Sequence, residues 1–289
     1  MRPLTRLTAA LVLTLTCAGA APLAGAQGAP HSALQSALQS GGAAGTLDEA
    51  HRLFYSGQYE AASALALSVR EIDPQNLLAY ELRTSSLHFQ IRRALGTSDD
   101  RDKAWKACVS CPELMSAFLA ETTLGRAAAR ARLAQHPADP EGMFFLGKLD
   151  LNYVWLQLST LGRKTGWGEY WEGRRTLDAL LKMDPTHVRG RVARAWIDYI
   201  VATKVPRGIR WVVGGGNKQR GLEIVREASR ADAPPFVQAE AKFALWDMQI
   251  REKRVPDAVV TARGLTREFP ENRELTRFLS THDLQANGN

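Results

Sequence analysis

Cysteine is scarce, at three in 289 residues. Cys17 lies in the N-terminal apolar segment, which leaves only Cys108 and Cys111 for the rest of the chain. Two cysteines cannot frame a disulfide-rich minidomain. A structural zinc site needs two further ligands, and no Cys/His pair at ligand spacing follows. Long apolar runs are absent beyond the N-terminus, so no membrane-spanning helix is expected. Strict apolar–polar alternation is nearly absent as well, which argues against sheet-based folds. Catalytic signatures are missing too. The six histidines, His31, His51, His88, His136, His187 and His282, are scattered, and there is no HExxH or GxSxG. No catalytic residue, metal or cofactor is therefore assigned, and a nucleic-acid partner is not expected.

The first 26 residues read as a signal peptide. Arg2 and Arg6 form a basic start, residues 9–18 are apolar, and Ala24-Gly25-Ala26 is a small-residue cleavage signal. The mature chain then begins near Gln27, in the periplasm or outside the cell. Thr16 stands where lipidated precursors carry a small residue before the cysteine, so Cys17 belongs to the leader. Residues 27–46, rich in Ala, Gly, Ser and Gln, read as a flexible leader with a short helix at 32–39.

The formal charge is +7, or +5 once Arg2 and Arg6 are removed. The excess is local: residues 160–230 hold fifteen Lys/Arg against seven Asp/Glu. Such a stretch suits an anionic surface or ligand, or an acidic protein face, although arginine-rich surfaces also occur simply as solvated faces.

From residue 47 onward the apolar pattern is helical, and breaks at Pro, Asn or Gly recur at fairly regular distance. Gly57, Tyr59, Ala62 and Pro74 stand at relative positions 0, 2, 5 and 17. Gly168, Tyr170, Gly173 and Pro185 repeat those offsets, and Lys253, Val255, Ala258 and Pro270 repeat them without the glycine. Glycine permits a tight turn, a small residue lets two helices approach, and proline closes the second helix. These offsets resemble the tetratricopeptide repeat (TPR), a helix–turn–helix of 34 residues. Met143, Leu146 and Gly147 match its first helix. The resemblance implies an all-α, right-handed solenoid of TPR-like helical hairpins over residues 47–284. A polar last helix would form its cap and residues 285–289 a disordered tail. It also implies a scaffold that binds a peptide or helix on its concave face.

Three constellations remain. Cys108-Val-Ser-Cys111 is compatible with a local disulfide, a redox pair or two thiols; no strand precedes it, and Pro112 excludes haem attachment. Gly214-Gly215-Gly216-Asn217-Lys218 looks like a phosphate cradle, but it fits neither the P-loop nor the dinucleotide fingerprint, and a glycine turn with Asn217 near a helix N-cap explains it as well. Four of the seven tryptophans fall within residues 166–221, where aromatics at helical spacing form either core or a groove. The expected partner-binding residues are Trp167, Tyr170, Arg174, Arg191, Arg194, Tyr199, Arg207, Arg210 and Trp211. The expected partner is a protein or peptide of the cell envelope. Two alternatives stand beside it. One is a transporter-associated periplasmic component whose cavity, lined by Trp155, Trp171, Trp196 and Trp211, takes a small or lipidic ligand. The other is a thiol-redox accessory protein acting through Cys108 and Cys111.

Overall fold

The computed structural model describes residues 29–98 and 100–286. The expected signal peptide, its cleavage site and the last three residues lie outside them. Twelve α-helices run through the described residues, and none of those residues is in a strand. They are α1 (Ala29–Tyr55), α2 (Tyr59–Ile72), α3 (Leu77–Leu95), α4 (Arg101–Ala107), α5 (Cys111–Gln135), α6 (Pro140–Trp155), α7 (Trp167–Met183), α8 (Val188–Lys204), α9 (Lys218–Ala228), α10 (Pro235–Arg251), α11 (Val255–Glu268) and α12 (Arg273–Ala286). The pairs α1/α2, α3/α5, α6/α7, α8/α9 and α10/α11 are helical hairpins, stacked in sequence and followed by α12. The fold is an all-α, TPR-like hairpin solenoid. Residues 29–46, read as a leader, belong to α1; the helix is interrupted at Gly42, with φ 62°, and burial begins at Thr46 and Leu47.

Local chemistry explains the helix ends. Asn76, Asp100, Asp139 and Asn217 each accept a hydrogen bond from the backbone N–H three residues on, which satisfies an orphan donor of the first turn. His187 does the same through Nδ1 for Gly190. Pro74, Pro185 and Pro270 each fall two residues past the end of a hairpin's second helix.

The repeat offsets are only partly equivalent in space. Gly57 makes the first turn at φ 76°. Gly168 does not make its turn: it is the second residue of α7, and Gly166, at φ 90°, takes the left-handed position. Gly173 has the expected close approach, since a Cβ there would stand 3.0 Å from Asp150 Cβ and 3.1 Å from the Gly147 carbonyl. In the third copy Lys253 occupies the position of Gly57 and keeps the left-handed conformation, at φ 57°, as no other non-glycine does among the described residues. A side chain in that region is strained. Lys253→Gly should therefore raise stability by about 0.5–1 kcal/mol, measurable by urea denaturation; an unchanged or lower midpoint would contradict it.

Apolar side chains fill the layers between hairpins. Leu149, Leu177, Leu180 and Ile197 are wholly buried between α6, α7 and α8, and Val225, Ala241 and Met248 between α8, α9 and α10. Each large side chain so buried contributes roughly 1.5–3 kcal/mol before its ordering cost.

The two ends of the solenoid meet. The His51 ring of α1 stacks on Phe236 of α10 at 4.5 Å, and Tyr55 stacks on Phe243 at 5.2 Å. Asn272 donates from Nδ2 to the Tyr55 carbonyl at 2.7 Å, and Gln58 donates to Glu271 at 2.6 Å. The first helices of the hairpins, α1, α3, α6, α8 and α10, thereby surround a common interior. Four charges meet there. Arg189 bonds Glu240 at 2.6 Å and Glu81 at 3.0 Å, and Lys148 bonds Glu240 at 2.6 Å. Burial opposes the ionisation of Glu240, but Arg189 and Lys148 hold its carboxyl below the ordinary range. The inner face is occupied by this cluster. A second buried carboxylate, Asp150, lies 2.8 Å from Arg126, which reaches out to Glu169 and Glu172. Burial outweighs that arginine and pushes Asp150 up to about 8.

Candidate interaction surface

The chain between α8 and α9 is longer than a hairpin turn requires. Residues 207–213 form a 3-10 turn there, and Gly214, Gly215 and Gly216 return the chain to α9. Two residues of α7 hold this projection in place. The Tyr170 hydroxyl donates to the Val213 carbonyl at 2.7 Å. Arg174 donates from Nη1 to the same carbonyl at 3.2 Å and from Nη2 to the Gly214 carbonyl at 2.6 Å. Burial raises the Tyr170 phenol above its ordinary value against the pull of Arg174, so it remains a neutral donor.

The three glycines serve this mount. A Cβ on Gly214 would lie 2.7 Å from Arg174 Cζ, and one on Gly216 would lie 2.7 Å from the Asp198 carbonyl. Gly214 and Gly215 have φ of 81° and 72°, open to glycine at little cost. Lys218, the apparent phosphate lysine, is paired with Glu252 at 2.6 Å. The stretch is a tight glycine return capped by Asn217, and its resemblance to a phosphate cradle stops at the sequence.

On this mount the turn presents apolar and basic groups to solvent. Trp211 is 78% exposed, and its Nε1 donates to the Gly208 carbonyl at 3.1 Å, which fixes the indole to the turn. Val212 is exposed beside it. Trp167, at the start of α7, is 55% exposed and meets Tyr170 edge-on at 6.1 Å. Lys204 and Arg207 are exposed, and Arg210 is half-buried with its Nε on the Val205 carbonyl at 2.8 Å.

The nine expected partner-binding residues therefore divide. Trp167, Arg207 and Trp211 face solvent, with Arg210 beside them. Tyr170 and Arg174 are buried and shape the surface from beneath, so they are corrected from contact residues to supports. Tyr199 is buried too, its hydroxyl donating to Glu252 at 2.8 Å. Arg194 is held by Asp178 at 2.6 Å and Asp198 at 2.7 Å, and Arg191 by Glu227. Arg174, Arg189, Arg191, Arg194 and Lys218 of the basic stretch at 160–230 are thus paired with acids, and Lys204 and Arg207 are among its exposed cations. Val212 escaped the sequence reading because a lone valine in an apolar run reads as core. The central charge cluster also escaped it, although Lys148 inside the most apolar helix was the available signal.

The four tryptophans expected around a ligand cavity do not share one. Trp155 and Trp196 meet edge-on at 6.5 Å, Trp171 packs on Tyr170, and Trp211 stands in solvent. Cys108 and Cys111 are disulfide-bonded, with sulfurs 2.06 Å apart. Among the described residues no group of three or more His, Cys, Asp or Glu side chains converges as a metal ion would require.

No protein-family model matches the chain, and no curated protein does. A solved structure, a thermophilic TPR protein of Thermus thermophilus, aligns with 82% of this chain and 97% of its own length, at 14% identity and a TM-score of 0.45. The fold assignment rests on this chain's own helix order, hairpin pairing and turn positions.

Proposed function

We propose that this protein is an exported, non-catalytic adaptor of the cell envelope. A closed body of TPR-like hairpins holds the 204–213 projection rigid for a partner protein. The exposed Trp211, fixed on the Tyr170–Arg174 mount beside Trp167, carries this reading. An exposed indole with little side-chain freedom left to lose is a strong anchor. The surrounding Lys204, Arg207 and Arg210 favour an acidic partner segment with an apolar residue for the indole.

The test uses acidic peptides bearing one central aromatic or aliphatic residue. The chain from Gln27 should bind a subset of them, more weakly as salt rises. Trp211→Ala should weaken binding at least tenfold, about 1.4 kcal/mol or more. Arg207→Glu should weaken it and flatten its salt dependence, with both melting points unchanged because both side chains are exposed. Equal peptide binding by wild type and both variants would sink the reading. Binding to anionic lipid vesicles in place of peptides would move the partner from protein to membrane. Export is tested separately: the protein recovered from the envelope fraction should begin near Gln27, and an uncleaved intracellular chain would refute it.

One recess supports a second reading, a small apolar ligand. Near the N-terminal ends of α6, α8 and α10 lies a cavity of about 450 Å³ lined by Phe144, Phe145, Phe236, His187 and Arg189. Arg189 is already engaged by Glu81 and Glu240, so the recess offers apolar contact more than charge recognition. Native mass spectrometry showing a co-purified molecule lost in Phe236→Ala would favour it.

A further inference from the structure

The adaptor reading leaves the disulfide unused. It links Cys108, the residue that ends α4, to Cys111, the first residue of α5. Its two sulfurs are not equivalent. Cys111 is 0% exposed, packed with Leu87, Ile91 and Phe118, whereas Cys108 is only partly covered. Between them Val109 is 97% exposed and Ser110 is exposed, so a partner chain can approach from the Cys108 side. Lys103 and Lys106 of α4 are exposed in the turns just before Cys108, with Asp102 and Glu113 as the nearby acids in sequence. Cys111 begins a 25-residue helix, whose first N–H groups and dipole favour a negative sulfur. The bond closes a loop with only two residues between the cysteines, so it removes little chain entropy and is a weak stitch.

We infer that Cys108 and Cys111 form a thiol–disulfide exchange site, with Cys108 as the attacked sulfur, Cys111 as the leaving thiolate, and a dithiol protein as the reaction partner. A thiolate of that partner attacks Cys108 Sγ. The Cys108–Cys111 bond breaks, and its electron pair goes to Cys111 Sγ, which takes a proton from solvent. The partner's second thiolate then attacks its own first sulfur and releases Cys108 Sγ, which is protonated in turn. The partner loses two electrons and two protons and gains a disulfide; this chain gains two thiols.

The experiment equilibrates the chain from Gln27 in glutathione buffers of graded ratio and follows the thiols by alkylation and mass. Oxidised and reduced forms should coexist at millimolar glutathione, with the helical circular dichroism unchanged. Cys111→Ala should accumulate a glutathione adduct at Cys108, at least ten times faster than Cys108→Ala does at the buried Cys111. Reduced thioredoxin, as a dithiol probe, should be oxidised by wild type and not by a Cys108→Ser/Cys111→Ser double variant that keeps its helical signal. The inference is overturned if the two single variants take up glutathione equally. It is equally overturned if the disulfide survives until the chain unfolds, or if its reduction unfolds the chain. None of these outcomes depends on Trp211 or Arg207, so it stands or falls apart from the adaptor reading.

Discussion

Replacing Arg189 with methionine is expected to cost about 3–5 kcal/mol of folding stability, the usual penalty for removing one side of a buried ion pair. The guanidinium bonds Glu81 and Glu240 and also lies over the Phe144 ring at 4.5 Å. Methionine fills much of the volume but leaves two carboxylates facing Lys148 alone. The penalty should depend on pH with a definite sign. In the wild type the Glu240 pKa is depressed, so its contribution is present above the unfolded value of about 4.3 and is lost as the pH falls through the folded value. Without Arg189 the Glu240 carboxylate is desolvated with less compensation, so its folded pKa rises towards and above the unfolded value. The deficit of the variant relative to the wild type should then shrink as the pH falls from 7 towards 5, the other titrating groups, Asp150 among them, being common to both proteins. Urea denaturation at pH 7 and pH 5 checks both points. A variant that loses under 1 kcal/mol, or whose deficit does not shrink on acidification, would show that the interior is hydrated enough to solvate the acids.

The second large effect is at the closure. Tyr55→Ala should cost roughly 3–5 kcal/mol, as other buried aromatic truncations do. Tyr55 is buried between Phe54, Phe243 and Phe269, and its carbonyl receives the Asn272 side chain. In an open solenoid each hairpin touches only its neighbours, so damage in the first would stay there. Here the first hairpin also leans on α10 and on the residues before α12. Hydrogen exchange should therefore show lost protection in α1 and α2 and also in α10–α12, with α6–α8 retained. If the C-terminal helices keep wild-type protection, the ends touch without supporting each other.

How legible this was depended on the range of the interactions involved. The 3.6-residue apolar period and the recurring Pro, Asn and Gly breaks marked a run of helices from residue 47 onward, because those signals act within one or two turns. The 0, 2, 5 and 17 offsets marked the hairpins, though the second copy carried its turn at Gly166 and not at Gly168, because α7 starts earlier than α2 does relative to that pattern. The arginines of α8 looked like one binding face, and the sequence had no means to show that Asp178, Asp198 and Glu227 would take them.

The residues at 204–216 lie within the stretch whose basic charge and tryptophans stood out in the sequence. Which of them reach solvent follows from the Tyr170–Arg174 clamp some forty positions away. The amino-acid sequence by itself determined that this is a run of helical hairpins, where they break, and that one segment is both basic and rich in tryptophan. Only the tertiary structure decided that the run closes and that its inner face is filled by charge. Those outcomes depend on pairs such as Glu81 with Arg189 and Tyr55 with Asn272, separated by 108 and 217 residues. Such contacts are set by the small rotation between successive hairpins, accumulated over the whole array, which no local pattern encodes.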